Sequence, residues 1–185
     1  VSTHLHHNVD ITIVGGGLNG LIAAKSLIDT KYSVLLIDFD DQLGGILNNS
    51  NKVLSVNNQT PMDWISETVK EIENSKNIKI LKNTLVTTYN YINHLIAVED
   101  KFVGSRPLKD KVNSTLHKIR TDQVILCNGH IERFLSFQNN DLPGIMLCSS
   151  FEKYMCRYGV MPSKETVIFS NNSNSESLVF SLIKK

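Results

Sequence analysis

The stretch IVGGGLNGLIAA, residues 13–24, places three glycines in a G-x-G-x-x-G frame between an apolar run and a helical pattern. Before it, residues 10–14 form a short β-branched run that predicts a buried strand. After it, apolar residues recur at helical spacing as far as Thr30, and residues 32–38 predict a second buried strand that ends in an acid. Strand, glycine turn, helix and strand together make one βαβ unit.

Each glycine of the frame has its own physical role. Gly15 permits the tight turn out of the strand, Gly17 lets a phosphate approach the backbone, and Gly20 lets the helix lie against the sheet. A diphosphate is expected at the helix N-terminus, where N–H groups and the helix dipole favour negative charge. The alternative is a glycine-rich turn that serves packing alone.

Two further features after the second strand support a dinucleotide. Asp38 lies eighteen residues after Gly20, the spacing at which a carboxylate accepts hydrogen bonds from a ribose diol. The Asp38 carboxylate would repel a 2′-phosphate, and no arginine that could bind one follows directly in the sequence. Both features favour NAD or FAD over NADP. Gly44 and Gly45, in residues 41–47, are expected to pass under the ribose and diphosphate, where side chains are unwelcome; a plain turn is the alternative.

The rest of the chain predicts helices and strands with clear boundaries. Thr60 is a helix N-cap followed by proline and an acid, and that helix is expected to end near Asn74. The other predicted elements are a strand at 78–81, a hairpin at 85–99 with its turn at Asn93 and His94, a solvated loop at 101–113, and strands at 116–120 and 123–129.

Composition excludes several classes of protein. The 185 residues are 41% hydrophobic with a net charge of +1, which predicts one complete domain with a remnant, no nucleic-acid partner and no attraction to an anionic membrane. No apolar run approaches the ~20 residues of a membrane span. The N-terminal residues 1–9, with three histidines, are predicted to be a solvated leader and not a metal site.

The three cysteines, Cys127, Cys148 and Cys156, show neither C-x-x-C spacing nor an even count. They predict reduced, packed thiols in a cytoplasmic protein without zinc or disulfides.

Two long stretches carry a family resemblance. The runs QVILCNGHIERFLSFQNNDLPGIML, residues 123–147, and YMCRYGVMPSKETVIFSNNSNSES, residues 154–177, resemble the α subunit of heterotetrameric sarcosine oxidase. The likeness extends back through TTYNYINHLIAVED and LGGIL to the glycine loop. The family's A-T-G-x-x-E-R-P signature corresponds here to Cys127, Asn128, Gly129, Glu132, Arg133 and Phe134.

The resemblance implies a tightly bound NAD without hydride transfer, with the flavins on a partner subunit or at the interface with it. It also implies an assembly that oxidises sarcosine to glycine and hydrogen peroxide and passes the one-carbon unit to tetrahydrofolate. No catalytic residue carries over, and Val86 would meet the adenine ring. The predicted dinucleotide contacts are Gly15, Gly17, Leu18, Asn19, Gly20, Asp38, Phe39, Gly44, Gly45, Val86, Asn128 and Gly129.

The predicted fold is therefore α/β, a Rossmann-like FAD/NAD(P)-binding fold whose parallel sheet carries a small inserted antiparallel sheet. Residues 10–160 are expected to form this domain, and residues 161–185 the truncated start of a second nucleotide-binding domain in what looks like a fragment. Its strand at 166–169 is followed by a turn without glycine, which disfavours a second cofactor. An apolar surface is expected around Val167, Phe169, Leu178 and Phe180.

Two other functions remain open at this point. One is an FAD-dependent amine or opine dehydrogenase or a pyridine-nucleotide oxidoreductase subunit, although no cysteine pair with redox spacing is present. The other is a non-enzymatic module in which bound NAD orders an interface.

Overall fold

The computed structural model describes residues 3–49, 55–100, 114–171 and 173–183. The strands are β1 (Thr3–Val14), β2 (Val34–Ile37), β3 (Ile78–Leu81), β4 (Thr84–Asn90), β5 (His94–Asp100) and β6 (Ser114–Leu126). The helices are α1 (Leu18–Ser26), α2 (Ile46–Asn49), α3 (Pro61–Asn74), α4 (Cys148–Tyr158) and α5 (Glu176–Ile183), with a 3₁₀ turn at Ser173–Ser175.

The six strands form one mixed sheet in the order β3-β2-β1-β6-β5-β4. β1 is parallel to both β2 and β6, and β2 is parallel to β3. The hairpin of β4 and β5 pairs antiparallel with β6, so the predicted Rossmann-like α/β fold with an inserted antiparallel sheet is confirmed. The predicted hairpin is present, although His94 begins β5 and does not belong to the turn.

Two strands are longer than the sequence predicts. The prediction of a leader outside the fold is wrong from Thr3 onward, because β1 starts there and its first half pairs with β6 from Thr115 to Thr121, although most of its side chains are exposed as expected. The strands predicted at 116–120 and 123–129 are one continuous strand, β6, in which Thr115, His117 and Thr121 are buried at alternating positions. The first half of β1 pairs with β6, and β6 pairs with β1 on one side and β5 on the other; this backbone pairing overrides the polar residues that suggested breaks.

The chain forms two compact units, residues 1–45 with 65–129 and residues 46–64 with 130–185. The first unit holds the whole sheet, and its core cluster joins Leu35 and Ile37 of β2 to Leu95, Ala97 and Ile119 of the antiparallel strands. All four β2 residues are buried, as a strand between two parallel neighbours requires. The domain boundary at residue 160 and the second nucleotide-binding domain stay predictions.

Helix boundaries follow local capping chemistry. The backbone N–H of Asp63 donates to Thr60 Oγ1 at 3.2 Å, and α3 runs from Pro61 to Asn74 as predicted. The sequence does not predict α4. That helix ends at Gly159 in the left-handed conformation, with φ of 65°, and the Val160 N–H donates to Tyr154 O at 2.9 Å.

The predicted strand at 166–169 does not form. No partner strand pairs with it among the described residues, so its backbone gains no ladder hydrogen bonds. Val167 is 96% exposed and Phe169 and Phe180 are also exposed, as expected, but Leu178 is 1% exposed and does not belong to an exposed surface. The predicted loop at 101–113 lies outside the described residues.

The cysteines behave differently from one another. Cys127 and Cys148 are half-buried, whereas Cys156 is exposed, so the expectation that it packs in the interior is wrong. Burial raises the pKa of the Cys127 thiol.

No helix in the part of the chain that the structure describes has the length and apolar character to cross a membrane.

A chain of hydrogen bonds ties the first half of β1 to the antiparallel strands. His117 is 1% exposed, and its Nδ1 lies 2.8 Å from His7 Nε2 while its Nε2 lies 3.2 Å from Glu99 Oε2. Because a carboxylate only accepts, His117 Nε2–H donates to Glu99, and a second hydrogen bond joins His117 Nδ1 to His7 Nε2.

The pKa of His7 is lowered below its ordinary value of 6.5, first by burial and then by the charges of Lys79, His117 and His6. The unfolded chain therefore binds this proton more readily than the folded one. We predict that the free energy of unfolding is unaffected by His7 above about pH 6.5 and falls as the pH drops below that value. The measurement is urea unfolding at pH 7.5, 6.5 and 5.5.

The matched variant is His7→Gln, which keeps a side-chain donor but does not titrate. Its unfolding free energy is expected to fall less between pH 7.5 and 5.5 than that of the wild type. Equal slopes in the two proteins would contradict this assignment.

Candidate functional site

The glycine loop leaves the sheet at the carboxyl end of β1, between β2 and β6. The Gly15 N–H donates to Ile37 O at 2.8 Å, and the Cys127 N–H donates to Val14 O at 2.7 Å. Gly15 has φ of 104°, and a Cβ there would overlap the Cys127 carbonyl. Both the backbone conformation and the space therefore require glycine at this position.

Gly20 allows α1 to pack closely against the glycine turn. It lies in α1, and a Cβ on it would overlap the carbonyl oxygen of Gly15. The helix consequently approaches the turn as closely as its backbone allows, which is the role that the motif predicts.

Gly17 differs from the other two glycines of the frame. Its φ is −72°, an ordinary value for any residue, and a Cβ on it would find only the Gly45 Cα, at 4.0 Å, within contact range. Neither backbone strain nor internal packing thus requires glycine here. The space beside Gly17 is open, as the close approach of a ligand to the backbone demands.

The N-terminus of α1 faces the same space. Gly17 is the N-cap, no side chain caps the helix, and the first turn contains no acid. The first bond within the helix runs from the Leu21 N–H to Gly17 O at 2.9 Å, so the N–H groups of Leu18 and Asn19 have no acceptor inside the helix. The first turn presents partial positive charge, and none of its own residues carries a counter-charge.

The second glycine pair lies directly against the first. The Gly44 N–H donates to Gly16 O at 2.8 Å, and Gly17 and Gly44 are paired as in a short parallel bridge. Gly44 has φ of 122° and Gly45 φ of 55°, and a Cβ on Gly45 would lie 3.1 Å from the Gly17 Cα. Two stretches of bare backbone therefore line one side of the open space.

Asp38 lies at the end of β2 and is 7% exposed. Its Oδ1 accepts the Asp40 N–H at 2.7 Å, and its Oδ2 accepts the Gly16 N–H. Burial raises the pKa of this carboxyl, while the two backbone N–H donors act in the opposite direction. The side chain is thus part of the loop structure, and the adjacent Phe39 is 66% exposed.

The remaining predicted contacts lie on other elements of the first unit. The Thr84 N–H donates to Asp38 O at 2.9 Å, which joins the start of β4 to the end of β2, and Val86 follows two residues later, half-buried against the core cluster. Asn128 and Gly129 are exposed beyond β6, and Gly129 has φ of 67° with open space around its Cα. Their contact with a cofactor stays a prediction.

Two residues of this site, Gly16 and Leu43, are not predicted from the sequence. The Leu43 side chain is 4% exposed and fills the place that a Cβ on Gly16 would occupy. The available signals were the third consecutive glycine and a single apolar side chain in an otherwise polar loop.

Comparisons with known proteins agree with this geometry. Residues 13–81 match the family of NAD(P)-binding Rossmann-like domains. The sarcosine oxidase subunit alpha of Corynebacterium sp. (strain P-1) is 31% identical over an alignment of 185 positions, which covers 97% of this chain and 19% of that protein. The chain spans about one fifth of the length of the curated relatives it matches.

Solved structures show the same fold. L-proline dehydrogenase from P. horikoshii superimposes with a TM-score of 0.73 at 22% identity, covering 100% of this chain and 35% of that chain. Thioredoxin reductase from T. acidophilum superimposes with a TM-score of 0.52 at 16% identity, over 73% of this chain and 40% of that one. Residues 13–81 are therefore similar to NAD(P)-binding Rossmann-like domains, and the chain is similar to sarcosine oxidase α subunits over nearly its whole length.

Proposed function

We propose that the first unit is the NAD-binding module of a subunit related to sarcosine oxidase α, and that it holds NAD without using it for hydride transfer. The open space beside Gly17 carries the proposal, because it is the place where glycine serves no purpose inside the protein. The likeness to sarcosine oxidase α subunits and to NAD(P)-binding Rossmann-like domains supports the class of ligand.

The diphosphate would lie between the first turn of α1 and the second glycine pair. There the N–H groups of Leu18 and Asn19 offer donors, and the helix dipole favours negative charge. The bare backbone of Gly17 and Gly45 leaves room for the phosphate oxygens. FAD is the alternative occupant, because its ADP half carries the same diphosphate and ribose.

The ribose would lie near Asp38, with Phe39, Val86, Asn128 and Gly129 as further proposed contacts. The lone pairs that Asp38 does not use for Gly16 and Asp40 are available to a ribose diol. A 2′-phosphate at this position would meet the Asp38 carboxylate, which favours NAD over NADP.

The activity of the whole assembly follows from the likeness and is proposed with it. The chain would serve a flavoenzyme that oxidises sarcosine to glycine and hydrogen peroxide and passes a one-carbon unit to tetrahydrofolate, with flavin on partner subunits. We place it in the cytoplasm, since its three cysteines lack disulfide spacing. We assign no catalytic residue within this chain. Its contribution to the assembly would be to bind the dinucleotide.

The identity of the cofactor is tested by mass spectrometry of the small molecule released when the natively purified protein is denatured. NAD is the expected result. Release of FAD, with absorbance near 450 nm before denaturation, would contradict NAD as the occupant while keeping the site. Binding of neither compound, in purification or in titration, would overturn the proposal.

Gly17→Val is predicted to weaken NAD binding by at least about 100-fold, equivalent to about 2.7 kcal/mol, because its side chain occupies the diphosphate position. Isothermal titration calorimetry measures the affinity. The control is Ser26→Val, which places the same side chain at an exposed position of the same helix. An unchanged dissociation constant in a folded Gly17→Val protein would refute the assignment of the loop.

The preference for NAD over NADP is predicted to depend on the charge of Asp38. Burial raises the pKa of this carboxyl, so it loses its charge at a higher pH than an ordinary aspartate does as the solution is acidified. The ratio of the NADP to the NAD dissociation constant should therefore be larger in the wild type than in Asp38→Asn at neutral pH, and the two ratios should converge in acid. Titrating both proteins with both nucleotides at each pH corrects for protonation of the 2′-phosphate. Equal ratios at neutral pH would exclude Asp38 from this selectivity.

A further inference from the structure

Gly16 occupies the variable position of the G-x-G-x-x-G frame, yet the protein surrounds it on three sides. Its N–H donates to Asp38 Oδ2, and its carbonyl oxygen accepts the Gly44 N–H at 2.8 Å. The Leu43 side chain covers its Cα. Gly16 itself is buried, so these contacts replace solvent around it.

Space alone, and not backbone conformation, requires glycine at this position. Gly16 is not among the glycines with positive φ. A Cβ on it would overlap Leu43 Cδ2 and would lie 3.0 Å from Asp38 Oδ2 and 3.2 Å from Asp38 Cβ. A methyl group would therefore push the loop away from the segment of residues 38–44 or force that segment to move.

The segment of residues 38–44 is itself anchored to the sheet. The Asp38 N–H donates to Leu81 O at 2.9 Å, and the Asp38 carbonyl oxygen accepts the Thr84 N–H at 2.9 Å. Its Oδ1 accepts the Asp40 N–H, which fixes the first turn of the segment. Asp38 therefore links Gly16 to β3 and β4: its side chain binds Gly16, and its backbone binds the two strands.

We propose that Asp38, Leu43 and Gly44 are positioning residues that clamp Gly16 and thereby hold the open face of Gly17 toward the ligand. We call this arrangement the Gly16 clamp. Gly16 is then an obligatory glycine, although the motif permits any residue there. The role in ligand binding rests on the proposed dinucleotide function, whereas the clamp itself is a property of the protein alone.

The clamp predicts a specific coupling between two substitutions. Gly16→Ala should weaken NAD binding by about tenfold or more, because the new methyl group meets Leu43 and displaces Gly17. Leu43→Ala removes the side chain that the methyl group meets. The double variant Gly16→Ala/Leu43→Ala should therefore bind NAD at least about threefold more tightly than the two single effects predict when multiplied.

The test is a double-mutant cycle with two readouts, the NAD dissociation constant and the midpoint of thermal unfolding without nucleotide. Ile72→Ala is the matched control, because Ile72 is a fully buried residue of α3 outside the loop. It should lower the unfolding midpoint and leave the NAD dissociation constant of the folded protein unchanged, whereas Leu43→Ala should change both.

The outcomes separate the clamp from the proposed function. If the wild type binds neither NAD nor FAD, the proposed function fails, and the unfolding midpoints alone decide whether Gly16 and Leu43 are coupled. If the wild type binds but the two substitutions act independently in both readouts, the clamp is overturned. Should Gly16→Ala fail to fold, the double variant must fold for the clamp to stand, and failure of both variants would overturn it.

Discussion

The structure depends on the absence of side chains where two backbone segments meet at the carboxyl end of a parallel sheet. Gly16 and Gly17 lie against Gly44 and Gly45, and the Gly44 N–H donates to Gly16 O at 2.8 Å. The buried carboxylate of Asp38 holds the Gly16 N–H from the other side. The proposed contacts with the diphosphate rely on this close approach, which leaves the first turn of α1 accessible.

The three glycines of the motif serve two different purposes. Gly15 and Gly20 allow the turn, the helix and β6 to pack, since a Cβ on either would overlap a carbonyl. Gly17 has no such internal reason, and so it is the position that points to a ligand. A site of this kind binds an anion through backbone donors and shape, without a charged side chain reaching into it.

Local chemistry made the glycine loop, β3 and α3 predictable from sequence, because a strand, a glycine turn or a cap is encoded by neighbouring residues. The sequence does not predict the first half of β1, because its histidines and asparagine are typical of a solvent-exposed segment without regular structure. Pairing with β6 and the contact of His7 with His117 determine its structure. The strand at 166–169 was predicted from its apolar residues, but no neighbour pairs with it in the described chain. Contact of Leu43 with Gly16 joins residues far apart in sequence, which no local pattern reveals.

A dinucleotide site at the glycine loop is tested most directly by the amide NMR spectrum of the ¹⁵N-labelled protein during titration with NAD. We expect the largest shift changes at the N–H groups of Gly17, Leu18, Asn19 and Gly45. Saturable changes confined to other parts of the sheet, with these four signals unmoved, would contradict a dinucleotide site at the glycine loop.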